Sequence, residues 1–177
     1  MDLVNERERL VAALRERGVD YLAPEDAVGK PVSDEVLIAS LAASEDPRLR
    51  AALTGLLLLR PGSASSLPAA MARVEADARD ELAARYMAAV YLQRLWQTTL
   101  GLYLGEMAEL SDLYSESFGL PPAAEGHGKP GLYALAEWHM MRTPGVYNRL
   151  AEYQIVMDHL FASLQRQASA HEPAATT

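Results

Sequence analysis

Four histidines and no cysteine are all that this chain offers for nitrogen or sulfur ligation and for imidazole chemistry. A di-iron or haem bundle would set such residues inward on helices, commonly as Glu-x-x-His, and no Glu-x-x-His occurs. His127 lies in a glycine-rich stretch and His171 near the C-terminus. His139 stands two residues after Glu137, a spacing that points the two side chains apart on a helix, and His159 follows Asp158. His139 and His159 are therefore expected as partly exposed polar residues on helix flanks, with no metal and no cofactor. The stretch "EGHGKPG" invites comparison with a phosphate-binding loop, which needs Gly-x4-Gly-Lys-Ser/Thr. Here Gly128–Lys129 is followed by Pro130, and the earlier glycine position holds Ala123. It reads as a mobile connector whose Glu125, His127 and Lys129 form a lid or contact surface.

Arg166 and His171 stand in an Arg-x4-His spacing, with Gln167 beside the arginine. That spacing resembles the HEPN ribonucleases, small all-α bacterial proteins in which an asparagine usually takes the place of Gln167. The resemblance implies an arginine and a histidine acting on an RNA backbone at a dimer interface, so Arg166 and His171 are the catalytic pair of an alternative, enzymatic reading. "ALRERGVDYL", residues 13–22, is similar to the first helix and strand entry of minimal nucleotidyltransferases. That family continues into a Gly-Ser turn and a magnesium-binding Asp-x-Asp; no Asp-x-Asp occurs in this chain.

The remaining candidates are surfaces. Glu106, Glu109, Asp112 and Glu116 recur at three- and four-residue intervals, and Glu125 follows, with no lysine or arginine from Gly105 to Gly128. If a helix runs on past Gly105, the first four form an acidic stripe, either solvated or a docking surface for a basic partner. Gly101 and Gly105 are one turn apart and allow another helix to come close. Trp96, Tyr103, Trp138 and Met141 are the candidate lining of a small-molecule pocket. Aromatic residues left exposed would be interface anchors.

The elements that must position these residues are helices. "DPRLRAALTGLLLLRPGS", residues 46–63, starts with an Asp46 cap and Pro47 in the first turn and stops at Pro61–Gly62. Its uncharged part, Ala51 to Leu59, is far shorter than the roughly 20 residues of a bilayer span. Its apolar residues surround it, so it reads as a helix sealed inside a core. Residues 3–17 form an amphipathic helix with Leu3, Leu10, Val11 and Leu14 on one side, ended by Gly18. "VDYLAPEDAVGKP" is an irregular connection with a short extended piece at 19–22. Ser33 starts a helix to 43, and Ser66 one to 78. A long central helix covers about 80–104 and is the expected pillar. A loop at 118–131 precedes a helix at 132–142, and Thr143–Pro144 caps a last helix at about 145–167. In that helix Leu150, Tyr153, Met157, Leu160 and Leu164 make an apolar seam.

No strand alternation of useful length and no internal repeat appear. The expectation is an all-α single domain over 1–168, a bundle of six to seven helices, with a flexible tail at 169–177. Helices 33–43 and 47–60 are close enough for a helix–turn–helix, but after Arg48 and Arg50 the second offers almost only leucine and alanine to a groove. A net charge of −8 argues against general nucleic-acid binding. The charged start lacks the apolar core of a secretory signal, so the expected place is cytoplasmic. Fourteen arginines against two lysines, alongside so much alanine, read as a bias of base composition rather than as function. With no nucleophile paired to a base, the leading expectation is a non-enzymatic helical interaction module: adaptor, regulator or antitoxin-like partner of another protein or of its own copy. The ribonuclease and a small-molecule-binding bundle are the alternatives.

Overall fold

A computed structural model describes residues 3–22, 30–142 and 147–171, without the side chains of Leu3 and Val4. The expected connection through 23–29, the Thr143–Pro144 cap and the end of the tail beyond His171 lie outside those residues. The α-helices among the described residues are α1 (Leu3–Glu16), α2 (Asp34–Ala43), α3 (Pro47–Leu59), α4 (Leu67–Arg73), α5 (Ala76–Leu95), α6 (Gln97–Leu104), α7 (Ser115–Phe118), α8 (Lys129–Arg142) and α9 (Arg149–His171). Two 3₁₀ turns, Pro61–Ser66 and Glu125–Gly128, complete the set, and no strand occurs among the described residues. The chain is an all-α single domain. No described helix is long and apolar enough to cross a membrane.

The leucine-dense stretch of residues 46–63 is the sealed helix that its composition predicts. The Asp46 carboxylate accepts the Arg48 amide at 2.8 Å and also the Arg7 guanidinium at 3.0 Å, so one side chain caps α3 and ties it to α1. Leu49 and every residue from Ala52 to Leu58 are buried, packed among α1, α2, α5 and α9. Asp46→Ala should therefore cost about 1 kcal/mol, the usual loss for an N-cap, read from the midpoint of urea unfolding. Ser33 and Ser66 occupy the N-cap positions of α2 and α4 without a side-chain cap bond.

The expected pillar is shorter than 80–104. Every residue from Leu82 to Gln93 of α5 is buried, but the backbone breaks at Trp96 (φ −108°, ψ 17°) and α6 sets off separately. Gly105, at φ 71°, then ends α6. No helix carries Glu106, Glu109, Asp112 and Glu116 as a stripe. Residues 105–114 are irregular chain strapped along α5 instead. Gln93 donates to the Ala108 carbonyl at 2.9 Å and accepts the Leu110 amide at 2.8 Å, and the Tyr86 hydroxyl donates to the Ser111 carbonyl.

The connector at 118–131 is likewise packed rather than loose. Tyr91 donates to the Pro121 carbonyl at 2.8 Å, Ala123 is buried, and α8 starts at Lys129, three residues earlier than its apolar pattern indicates. The helix expected at 66–78 is the short α4, and residues 19–22 are irregular chain with a turn at 21–22, not an extended piece. The seam on α9 is as its spacing predicts: Tyr153, Met157, Leu160 and Leu164 are buried and Leu150 packs against the core. That helix runs to His171, past the expected start of the tail.

Candidate functional site

The charged residues that the core encloses form one connected group between α5, α8 and α9. Glu81 and Arg85 are one turn apart on α5, and Nε of Arg85 donates to Glu81 Oε1 at 2.8 Å. Arg85 Nη2 donates to Glu152 Oε1 on α9 at 3.1 Å, Arg85 Nη1 is buried without a hydrogen-bond partner among the described residues, and Arg149 Nη1 donates to Glu152 Oε2 at 2.8 Å. Arg50 of α3 lies 3.4 Å from Glu81 Oε1. His139 of α8 bridges Glu81 Oε2 at 2.6 Å and the Tyr153 hydroxyl at 2.7 Å. The consistent proton arrangement has the tyrosine hydroxyl donating to Nδ1 and Nε2–H donating to the carboxylate.

The electrostatics support a neutral imidazole inside paired charges. Burial lowers the His139 pKa, the Glu81 carboxylate opposes that, and the positive charges of Arg85 and Arg149 add to it, leaving the value below 6.5. Burial would raise Glu81, but the hydrogen bond from His139 and the charge of Arg85 outweigh it and hold the carboxylate well below its ordinary range. Glu152 is lowered against its own burial by Arg85 and Arg149. Burial pushes the Tyr153 phenol up, so it stays protonated. Arg85 and Tyr153 are fully enclosed, and Glu81 and Glu152 keep only a small exposed fraction. The network's chemistry is that of an internal staple for four helices.

Spacing arguments place His139 on a flank; it is buried in this network instead, and Glu137 is exposed. His159 is exposed and lies against Tyr21, ring centroids 5.2 Å apart. Among the described residues no three acidic or histidine side chains converge so as to hold a metal ion. The signal that marks the network is Arg85 itself, the only charged residue from Leu82 to Gln93.

The four pocket candidates occupy two places. Trp96 and Tyr103 both meet Phe161 of α9, at 5.4 and 6.3 Å between ring centroids. Trp138 is buried on α8, stacked on Phe118 at 4.1 Å with the Arg142 guanidinium 3.7 Å over its ring. Met141 is 75% exposed. They do not share a cavity. One cleft of about 380 Å³ lies elsewhere, between α3 and α9, with Tyr21, Ala51, Ala52, Tyr147, Ile155 and Val156 in its wall and Glu152 of the buried network on its lining.

The acidic candidates are also divided. Asp112 is spent on its own loop, accepting the Ser115 amide and hydroxyl and the Ala123 amide. Glu109 pairs with Arg94 at 2.7 Å. Glu106, Glu116 and Glu125 are exposed. Arg166 and His171 stand on the exposed last turns of α9. Arg166 lies 3.6 Å from Asp20, and His171 Nδ1 donates to the Gln167 carbonyl at 2.7 Å. Five residues apart on a helix, they do not face one point.

The exposed face of α6 is the other unusual surface. The stretch Leu95–Gly105 contains no charged residue, yet Trp96 is 39%, Leu102 81% and Tyr103 39% exposed. Gly101 and Gly105 have open space where a side chain would project. Comparison of the chain with protein-family models, with curated proteins and with solved structures gives no match.

Proposed function

We propose that this protein is a helical protein–protein interaction module, an adaptor, regulator or antitoxin-like partner, whose docking face is α6. The observation that carries the reading is an uncharged helix with Leu102 turned outward, Tyr103 partly exposed on it and Trp96 partly exposed at its N-cap, on a chain of net charge −8. Solvated helices carry charge on their outer side, and contiguous exposed apolar groups mark contact surfaces. Gly101 and Gly105 leave room for an incoming helix to approach the backbone. Directly after α6 the chain runs to Gly128 without a lysine or arginine, with Glu106 exposed at its start. The complementary partner is therefore a different protein, presenting an apolar helix with a basic rim. A second copy of this chain would bring the same acidic segment against itself. Nothing in the geometry of Arg166 and His171 adds support to the ribonuclease alternative.

A photo-crosslinking residue at position 102, with position 72 on exposed α4 as control, tests this in cells that make the protein. The expected result is one discrete heavier adduct at 102 and none at 72, with a net-basic crosslinked segment in the partner. The adduct should weaken in high salt and in Glu106→Lys. Leu102→Asp should abolish co-purification of that partner while shifting stability by no more than about 0.5 kcal/mol, because the side chain is exposed. An adduct of twice the chain mass, or no adduct, overturns the reading.

A further inference from the structure

The cleft between α3 and α9 is independent of the α6 face, and its size falls within the roughly 300–1,000 Å³ of small-molecule sites. Its wall is aliphatic and aromatic, from Tyr21, Ala51, Ile155 and Val156, and its polar groups are few. Charge decides what such a wall accepts. Glu152 lines the cleft, but both of its oxygens are already held, one by Arg85 and one by Arg149. Its charge is therefore already matched by arginines from inside the core. Tyr147, which would stack on an amine, already lies under the Arg149 guanidinium at 5.0 Å.

The arginines outnumber the acids here. Arg50, Arg85 and Arg149 share the buried network with Glu81 and Glu152, His139 is neutral, and Arg48 stands exposed on the lining of the cleft. The buried network of three arginines and two glutamates carries a surplus of one positive charge behind the cleft, and Arg48, with Asp46 as its acidic neighbour, stands exposed on the lining. Arg48 itself is on the first turn of α3, beside the capping Asp46 carboxylate, which accepts its amide and is paired with Arg7. His159, against the Tyr21 ring, offers a further donor at the rim.

We propose that this cleft binds a small organic anion with an aromatic or aliphatic body, its carboxylate at Arg48 and its apolar part between α3 and α9. The anion gains a charge-assisted hydrogen bond from a guanidinium, and the body displaces water from the wall.

Calorimetric titration of the whole protein with 2-naphthoate, 2-naphthamide and 2-naphthylmethylamine separates anion, neutral and cation on one apolar frame. The carboxylate should bind at or below about 1 mM, and at least about tenfold more tightly than the other two. Amide chemical shifts should move along Arg48–Ala52 and Tyr147–His159. Arg48→Ala, an exposed position, should weaken the carboxylate about tenfold without changing the affinity for the amide. Ala51→Phe should block all three by filling the cleft. Equal affinity for the three probes, preference for the amine, no saturable binding of the carboxylate, or indifference to both variants overturns the proposal. Crosslinking at position 102 is expected to be the same in Arg48→Ala, so failure here and failure of the interaction reading are told apart.

Discussion

Glu81→Ala is expected to destabilise the protein by about 3–5 kcal/mol, the loss that follows when one member of a buried charge network is removed. Glu81 takes Arg85, His139 and Arg50 at once. Its removal leaves the fully enclosed guanidinium of Arg85 with only the Glu152 contact. The coupling is what distinguishes this from a simple loss of side-chain volume. Glu81→Leu together with Arg85→Leu should cost clearly less than the two single changes added, since neither then leaves the other's charge unmatched in the core. Additive costs in urea unfolding would show that the network contributes no pairwise energy. Acid should expose the same group in two stages. His139 is depressed, so the unfolded chain binds its proton first, and stability falls as pH drops below about 6.5. Glu81 and Glu152 are depressed as well. Their contribution is complete above the ordinary carboxylate range and is lost further down, as pH falls toward their folded values. His139→Gln should remove the upper stage and keep the part of the lower one that Arg85 and Arg149 give to Glu152, with the Glu81 part reduced.

How much of this was legible depends on the range of the forces involved. Asp46–Pro47, the leucines of α3 and Pro61–Gly62 fix that helix through local capping and composition, and its burial follows from apolar residues on every side. The 3-4-3-4 seam of α9 is legible for the same reason. The break at Trp96 is not, because good helix formers flank it and neither glycine nor proline marks the kink; the chain turns there as it leaves the enclosed part of α5. The intervals of Glu106, Glu109, Asp112 and Glu116 imitate a helix face. Gly105 in the left-handed region ends the helix before they begin, and Gln93 and Tyr86 hold the segment by bonds that spacing does not reveal. His139 finds Glu81 across 58 residues of sequence. No local pattern carries that pairing, although an arginine alone among twelve buried residues of α5 implies that some acid must meet it.

The glycines of "EGHGKPG" answer to packing, and Gly131→Ala should show it by an effect at or above the top of the about 1–3 kcal/mol range for overfilled cores. A methyl at Gly131 would lie 2.1 Å from Cε1 and 2.4 Å from Cζ of Tyr91. That ring cannot swing aside cheaply. It is fully buried, and its hydroxyl is fixed on the Pro121 carbonyl at 2.8 Å. Gly128 meets the same residue from one turn earlier: its Cβ would fall 2.6 Å from the Tyr91 carbonyl oxygen, at φ 80° where L side chains are strained. The two glycines let the start of α8 lie directly on α5, and that contact sets where His139, two turns further along α8, reaches Glu81. Gly131→Ala should therefore lower the unfolding midpoint and also shift the His139 ring resonances. Gly62→Ala, where nothing lies within 4 Å, should do neither. Equal behaviour of the two variants would mean that α8 stands off α5 farther than the Tyr91 contact requires, and the seating of the ion network would need another cause.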